Sequence, residues 1–149
     1  SITEIWMSHV LEHVADPVKI MEEIWRIGKP GCVVQIRGPH FTGPVVWGDP
    51  THRRGLSSST FVCFTPGSNW WYTQARFTIQ RCLLKRNMGD APPAPTHWWN
   101  YITLWFDALL EALTNRSFLW VQRAERTLGR WFGFDEIQVI LRVEKAPPG

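Results

Sequence analysis

Residues Ile5–Phe41 read IWMSHVLEHVADPVKIMEEIWRIGKPGCVVQIRGPHF, and this stretch decides the fold. At its start, the short apolar run Glu4–Ser8 predicts a strand, and apolar residues at helical spacing over Pro17–Ile27 predict a helix. Asp16, with a proline directly after it, is a typical helix-start signal. The run Cys32–Arg37 is almost continuously apolar, as in strands covered on both faces. Together these segments predict a β-α-β unit with parallel strands and therefore an α/β fold.

Glycines and prolines divide the rest of the chain. The GKPG sequence at residues 28–31 predicts the end of the first helix. The segment 38–59 predicts a long loop, and long loops in compact domains often bind substrates. The other predicted elements are a short helix or strand over Thr60–Phe64, a strand over Ala75–Lys85, a turn-rich linker over Asn87–Pro95, helices over Trp98–Leu113 and Phe118–Trp131, and a strand over Glu136–Glu144.

The composition indicates one folded domain of 149 residues. Hydrophobic residues make up 44% of the chain and aromatic residues 13%, which is more than a disordered chain carries. The net charge of +3 does not predict nucleic acid as a partner, and no apolar run approaches the roughly 20 residues of a membrane span. The three cysteines form no C-x-x-C pair, so we expect neither a disulfide framework nor a cysteine zinc site. A reducing, cytoplasmic location is the expectation.

The segment from His9 to His13 contains the pattern H-x-x-E-H. Inverted zinc peptidases use this spacing to place two histidines one helical turn apart, so a zinc hydrolase is one hypothesis. Here the pattern follows a predicted strand, and the predicted helix begins only after Asp16. The two histidines therefore do not share a helix, and we predict no metal site.

Taken with their neighbours, the same residues resemble an enzyme family. An SHVLEH turn, a DP helix, an R-x-x-K-P-G sequence and a strand ending in P-H follow one another over Glu4–Phe41. This succession closely resembles the middle of class I S-adenosylmethionine-dependent methyltransferases of the small-molecule, type 11-like kind. The DPTHRR sequence at residues 49–54 and the strand Ile137–Lys145 are similar to those of one subgroup. Cys32 departs from the family where a second glycine is usual, and Gly28 where a hydrophobic residue is common.

The resemblance implies the C-terminal half of a Rossmann-like sheet. Two parallel strands would be followed by two closing strands, one of them antiparallel, with a helical insertion over residues 98–131. The resemblance begins at the family's fourth strand, so its glycine-rich turn and ribose-binding acidic residue have no counterpart. We therefore expect residues 1–149 to form a single partial domain that binds S-adenosylmethionine weakly or not at all by itself.

The resemblance also implies roles for individual residues. Ser8 and His9, just past the fourth strand, would line the cofactor side, whereas His13 and the corner at His40 would face the reacting methyl group. Methyl transfer requires alignment of donor and acceptor and removal of a proton from a small-molecule acceptor. The candidate catalytic residues are His13, His40, Asp49 and His52.

Each polar residue also has a structural alternative. Glu12 could cap backbone amides, and His40 could hold the loop. Asp49 could form an exposed ion pair with Arg53 or Arg54. A non-catalytic interaction module with the same fold is the alternative function.

Two surface features predict partners. The first strand would be unpaired on its outer side, and such an edge favours a homodimer or aggregation. Tryptophans near the two later helices could contact a membrane surface or a hydrophobic acceptor, although packing in a core is the commoner role of such residues. These are Trp98, Trp99, Trp105, Trp120 and Trp131.

Overall fold

The computed structural model describes residues 2–68, 73–87 and 98–145. The predicted linker, apart from its first residue, and the last four residues of the chain lie outside these ranges. The elements in chain order are β1 (Ile2–Ser8), α1 (Pro17–Ile27), β2 (Gly28–Pro39), α2 (Val45–Gly48), α3 (Ser58–Val62), β3 (Arg76–Lys85), α4 (Trp98–Thr114), α5 (Phe118–Arg126), α6 (Gly129–Phe132) and β4 (Glu136–Glu144).

The described residues contain a four-stranded sheet in the order β1-β2-β4-β3. β1 and β2 are parallel, while β4 lies antiparallel between β2 and β3. The α/β class is thereby confirmed, with two parallel strands followed by two closing strands of which one is antiparallel. The helical insertion also lies before the last strand, as predicted.

The helix of the β-α-β unit begins where its local signals place it. The Asp16 carboxylate accepts a hydrogen bond from the Lys19 amide at 3.1 Å, which satisfies one of the unpaired donors of the first turn. The helix ends at Ile27, as the glycine and proline residues after it predict, and β2 begins directly at Gly28 rather than at Cys32. A register shift between Ile2 and Glu4 on β1 accommodates the extra residues of β2, and Gly31 has a φ of 80°.

The core lies between the sheet and the helices. The inward-facing side chains of β2 and β4 are fully buried, and α1 and α5 cover them with small and branched apolar residues. Burying a valine, leucine, isoleucine, phenylalanine or methionine side chain contributes about 1.5 to 3 kcal/mol to folding. The most buried members are Met21, Val34, Ile36, Leu56, Phe61, Phe77, Val121, Phe134, Ile137, Val139 and Leu141.

β1 differs from the other strands in its exposure. Its residues are exposed or half-buried, and Trp6 is 65% exposed. Among the described residues only β2 pairs with it. The side of β1 that points away from β2 is therefore an open edge of the sheet. The exposed residues of β1 also leave its faces partly uncovered, whereas parallel strands of α/β proteins are normally covered on both faces.

The segment 38–59 is not the structureless loop that we expected. It contains α2 (Val45–Gly48) and the start of α3. Ser57 is the N-cap of α3, and its side chain and backbone form a capping box with Thr60. The His40 amide donates to the Asp135 carbonyl at 3.0 Å. Gly43 approaches the residues before β4 so closely that a Cβ would lie 2.5 Å from the Phe134 carbonyl oxygen. This segment is therefore packed against the start of β4.

The second predicted helix is divided into α5 and α6, because the chain leaves helical geometry at Thr127. The expectation that the tryptophans pack in the core of this chain is wrong for Trp98, Trp105, Trp120 and Trp131, which are all exposed. The side chain of Trp99 lies outside the described part of the structure. Trp105 is 69% exposed and Trp131 is 84% exposed, while α5 packs Val121 and Ala124 inward instead. Helical spacing identifies a helix but not the face that the sheet covers. No helix of the described residues is long and apolar enough to cross a membrane.

Gly43→Ala is expected to lower the free energy of unfolding by about 1 to 3 kcal/mol, because backbone atoms have to move away from the new methyl group. Gly48→Ala is the matched control, since no heavy atom lies within 4 Å of the position of its Cβ. Guanidinium chloride denaturation measures both values. Equal stability of the two variants would contradict the close packing of segment 38–59.

Candidate functional site

The carboxyl ends of β1 and β2 lie side by side, since the two strands are parallel neighbours. In open α/β sheets this edge is where ligands bind. The turn that follows β1 and the segment 49–54 that follows α2 meet there. We use the name carboxyl-edge site for the residues that they bring together, which are His9, Glu12, His13, Asp49 and His52.

His9 connects the end of β1 to β4. Its φ of 53° lies in the left-handed region, and its amide donates to the Arg37 carbonyl at 3.0 Å. The ring Nε2 lies 3.1 Å from Glu136 Oε2, and Nδ1 lies 3.3 Å from Glu12 Oε1. The ring therefore stands between two buried carboxylates. Ser8, the other predicted cofactor residue, is exposed at the end of β1.

Glu12 is the unusual residue of the site. Its side chain has no exposed surface, yet neither carboxylate oxygen accepts a hydrogen bond from the described residues. The role of capping backbone amides is therefore wrong for this side chain. His9 Nδ1 lies 3.3 Å from Oε1, and His13 Nε2 lies 3.9 Å from the same oxygen. A buried carboxylate that lacks hydrogen bonds costs free energy, and the two histidine contacts do not supply those bonds.

Arg54 fixes the two segments of the site against each other. Its Nη1 donates to the Val14 carbonyl at 2.6 Å, and its Nη2 donates to the Ala15 carbonyl at 3.2 Å. Instead of the predicted ion pair with Asp49, Arg54 forms hydrogen bonds to backbone carbonyls of the turn after β1. As a result the His13 and His52 rings come together, with centroids 4.7 Å apart.

A hydrogen-bond chain orients His13. The Thr51 hydroxyl donates to Asp49 Oδ1 at 2.6 Å, so it can accept a hydrogen bond from His13 Nδ1 at 3.0 Å. The Thr51 hydroxyl and amide hold the pKa of Asp49 below its ordinary value, and the charges of His52 and His13 act in the same direction. Asp49 is consequently an anion at neutral pH.

His52 is oriented by the backbone of α2. Its Nδ1 lies 3.0 Å from the Val46 carbonyl, which only accepts hydrogen bonds, so Nδ1 carries the proton. Its Nε2 lies 3.8 Å from Asp49 Oδ2. The side chain is only 7% exposed, so packing as well as hydrogen bonding holds the ring in place.

His40 lies apart from the carboxyl-edge site. The side chain is fully buried, with Nε2 3.0 Å from Glu125 Oε1 and Nδ1 2.8 Å from Thr42 Oγ1. Glu125 also accepts hydrogen bonds from the amide and the hydroxyl of Ser58. In this position the ring joins segment 38–59 to α5, in agreement with the structural alternative, and offers no surface to an acceptor.

Sequence reasoning missed the roles of Thr51 and Arg54. The D-x-T spacing of residues 49–51 favours a turn in which the aspartate side chain accepts from the backbone two residues on, and that signal was available. The hydrogen bond from Arg54 to the Val14 carbonyl joins residues 40 positions apart in sequence, and no local sequence pattern predicts such a contact.

Comparison with known proteins adds one structural similarity. No family model matches the chain, and no curated protein matches it. Among solved structures, the chain is similar to a SAM dependent methyltransferase from Archaeoglobus fulgidus, with 16% sequence identity and a TM-score of 0.42. The match covers 94% of this chain and 58% of that protein, so the chain spans less than two thirds of its length. A similarity this low establishes neither a family nor an activity.

Glu125→Ala is expected to lower the free energy of unfolding by about 3 kcal/mol, because it leaves the buried donors of Ser58 and His40 without an acceptor. Glu125→Gln retains one acceptor oxygen and is expected to cost about 1 kcal/mol. Urea denaturation followed by circular dichroism distinguishes the two variants. If Glu125→Ala were as stable as the unsubstituted chain, His40 would not have the structural role described above.

Proposed function

We propose that the chain belongs to an S-adenosylmethionine-dependent methyltransferase that acts on a small-molecule acceptor. The main support is positional: the motif residues that resemble the family lie at the carboxyl edge of a parallel β-α-β unit. Ser8 ends β1 there and His9 follows it, and the same edge carries His13, Asp49 and His52. The arrangement of the four strands also agrees with what the resemblance implies.

The charges around His9 support its assignment to the cofactor side. The buried carboxylates of Glu12 and Glu136 flank the ring. S-adenosylmethionine carries a sulfonium and an ammonium group, and anionic side chains with little solvent around them attract such cations. We propose that this end of the site faces the charged part of the cofactor.

The acceptor side of the proposed site lies at the His13 and His52 rings. Asp49 borders the same opening with a side chain that is 45% exposed. These three side chains are the proposed groups that align the acceptor and remove its proton, and alignment is the larger contribution in a displacement of this kind. His40 is not part of this proposal, because it is buried in the contact with α5.

We also propose that the chain supplies only part of the cofactor pocket. The open outer edge of β1, with Trp6 exposed, supports additional strands beside it in the complete protein. A glycine-rich turn and its helix N-terminus would come from those strands and hold the charged end of the cofactor. The 149 residues then provide one wall of the pocket and the acceptor side.

The 149-residue chain is expected to bind S-adenosylmethionine with a dissociation constant in the millimolar range. Loss of two charge-assisted hydrogen bonds, at about 1.5 to 3 kcal/mol each, together with the amide contacts of the glycine-rich turn, weakens a micromolar site to the millimolar range or beyond. Titration calorimetry measures the constant, and the natural reading frame that contains these residues is the comparison. For that longer protein we expect micromolar binding and transfer of a tritiated methyl group to a small-molecule acceptor.

Two different results would contradict parts of this proposal. A dissociation constant below about 10 µM for the 149-residue chain would show that the chain forms a complete cofactor pocket. No binding and no methyl transfer by the protein of the natural reading frame would contradict the methyltransferase function itself.

A further inference from the structure

We propose that Glu12, His13 and His52 form a binding site for a divalent transition-metal ion of the Zn²⁺ class. One ligand atom from each residue lies within 4.8 Å of the others. This set differs from the H-x-x-E-H pair of His9 and His13, and it departs from the expectation of no metal site. It does not rest on the proposed methyltransferase function.

The buried carboxylate of Glu12 is the first observation that points to a cation. The side chain is fully buried, and both oxygens lack hydrogen bonds from the described residues. Oε1 lies 3.9 Å from Nε2 of His13. A buried carboxylate is normally paired, hydrogen-bonded or bound to a metal. His9 Nδ1 lies 3.3 Å from Oε1 without forming a hydrogen bond, so a cation between Glu12 and His13 would give the carboxylate the close partner that it lacks.

The orientation of the two histidines is the second, independent observation. Thr51 Oγ1, which donates to Asp49, receives the Nδ1 proton of His13, and the Val46 carbonyl receives the Nδ1 proton of His52. In the neutral form of each ring the lone pair is therefore on Nε2, the nitrogen that remains available to a metal. Metal-binding histidines almost always donate their other ring proton to a carboxylate, a carbonyl or a similar acceptor. Both partners are present before any ion binds.

The donor set and its geometry suit zinc. Two imidazole nitrogens and one carboxylate oxygen form one of the ligand combinations of catalytic zinc sites. Three atoms separated by 4.8 Å place a central ion about 2.8 Å from each, so side-chain shifts of under about 1 Å reach the usual Zn–N distance of about 2.1 Å. Arg54 holds the two segments at this separation through the Val14 and Ala15 carbonyls.

A further coordination position faces solvent. The His13 side chain is 37% exposed, and Asp49, with Oδ2 3.8 Å from His52 Nε2, is 45% exposed. The position can take water, the Asp49 carboxylate or an oxygen of a bound small molecule. The site therefore has the form of a zinc centre with three protein ligands and one exchangeable ligand.

Equilibrium dialysis of the tag-free 149-residue chain against Zn²⁺, with metal counted by plasma mass spectrometry, tests the proposal. One equivalent of zinc with a dissociation constant of about 10 µM or tighter is expected. His52→Ala and the nearly isosteric Glu12→Gln are each expected to weaken binding at least tenfold. Thr51→Val, which removes the acceptor of the His13 Nδ1 proton, is expected to weaken it by about tenfold or more.

His9→Asn is the matched control. Asparagine tolerates the left-handed backbone of this position and keeps a side-chain N–H that can replace the contact of the His9 ring with Glu12 Oε1, while His9 itself is outside the proposed ligand set. This variant is expected to bind zinc within about threefold of the unsubstituted chain. Circular dichroism of each variant establishes that it is folded, and the visible spectrum of bound Co²⁺ reports whether a cysteine thiolate takes part.

Several outcomes overturn the proposal. Absence of stoichiometric zinc, retention of zinc by His52→Ala, or a thiolate band in the Co²⁺ spectrum would each do so. Loss of zinc in His9→Asn together with retention in His52→Ala would support the H-x-x-E-H pair instead. The dialysis contains no S-adenosylmethionine, so its result is independent of the methyltransferase proposal.

Discussion

The parallel pairing of β1 with β2 is the constraint on which the site depends. It places the ends of both strands at one edge, where the chain turns at His9 and where segment 38–59 begins. The Arg54 guanidinium then fastens segment 49–54 to the turn after β1. Together with the hydrogen bond from the Arg53 amide to the Glu12 carbonyl, these contacts hold the segments that carry His13 and His52 next to each other.

Two buried carboxylates of the chain differ in how their oxygen atoms are satisfied. His40 and Glu125 satisfy one another inside the protein, together with Ser58, and such satisfied buried networks stabilise a fold. Glu12 is equally buried but lacks hydrogen bonds from the described residues. Residues that oppose stability while facing ionisable neighbours are typical of functional sites, where activity and stability are in conflict.

The two proposals share Glu12, whose Oε1 lies 3.3 Å from His9 Nδ1 and 3.9 Å from His13 Nε2. On one side His9 and Glu136 form the anionic surroundings proposed for the cofactor. On the other side His13 and His52 present ring nitrogens proposed for a metal ion. A metal ion bound there would reduce the negative charge of the Glu12 carboxylate, so occupancy of one side changes the electrostatics of the other. Each proposal nevertheless stands or fails on its own measurement.

Local signals predicted the helix Pro17–Ile27 and the strand Glu136–Glu144 with their observed bounds, because caps, prolines and alternation act over a few residues. Long-range contacts were not predictable. The burial of His40 depends on Glu125, 85 positions later, and exposure of Trp105 depends on which face of α4 the sheet covers. The motif identified His13, Asp49 and His52 as candidates, but their proximity follows from the fold.

The central claim is that Glu12 is retained for ligand binding and not for folding. Its most direct test is the free energy of unfolding of Glu12→Met in the presence of a metal chelator. Methionine has a similar length without charge, so the account predicts a variant as stable as the unsubstituted chain, or more stable by about 1 to 3 kcal/mol. A loss of more than about 1 kcal/mol would show that the carboxylate makes stabilising interactions in the folded chain, and would contradict the claim.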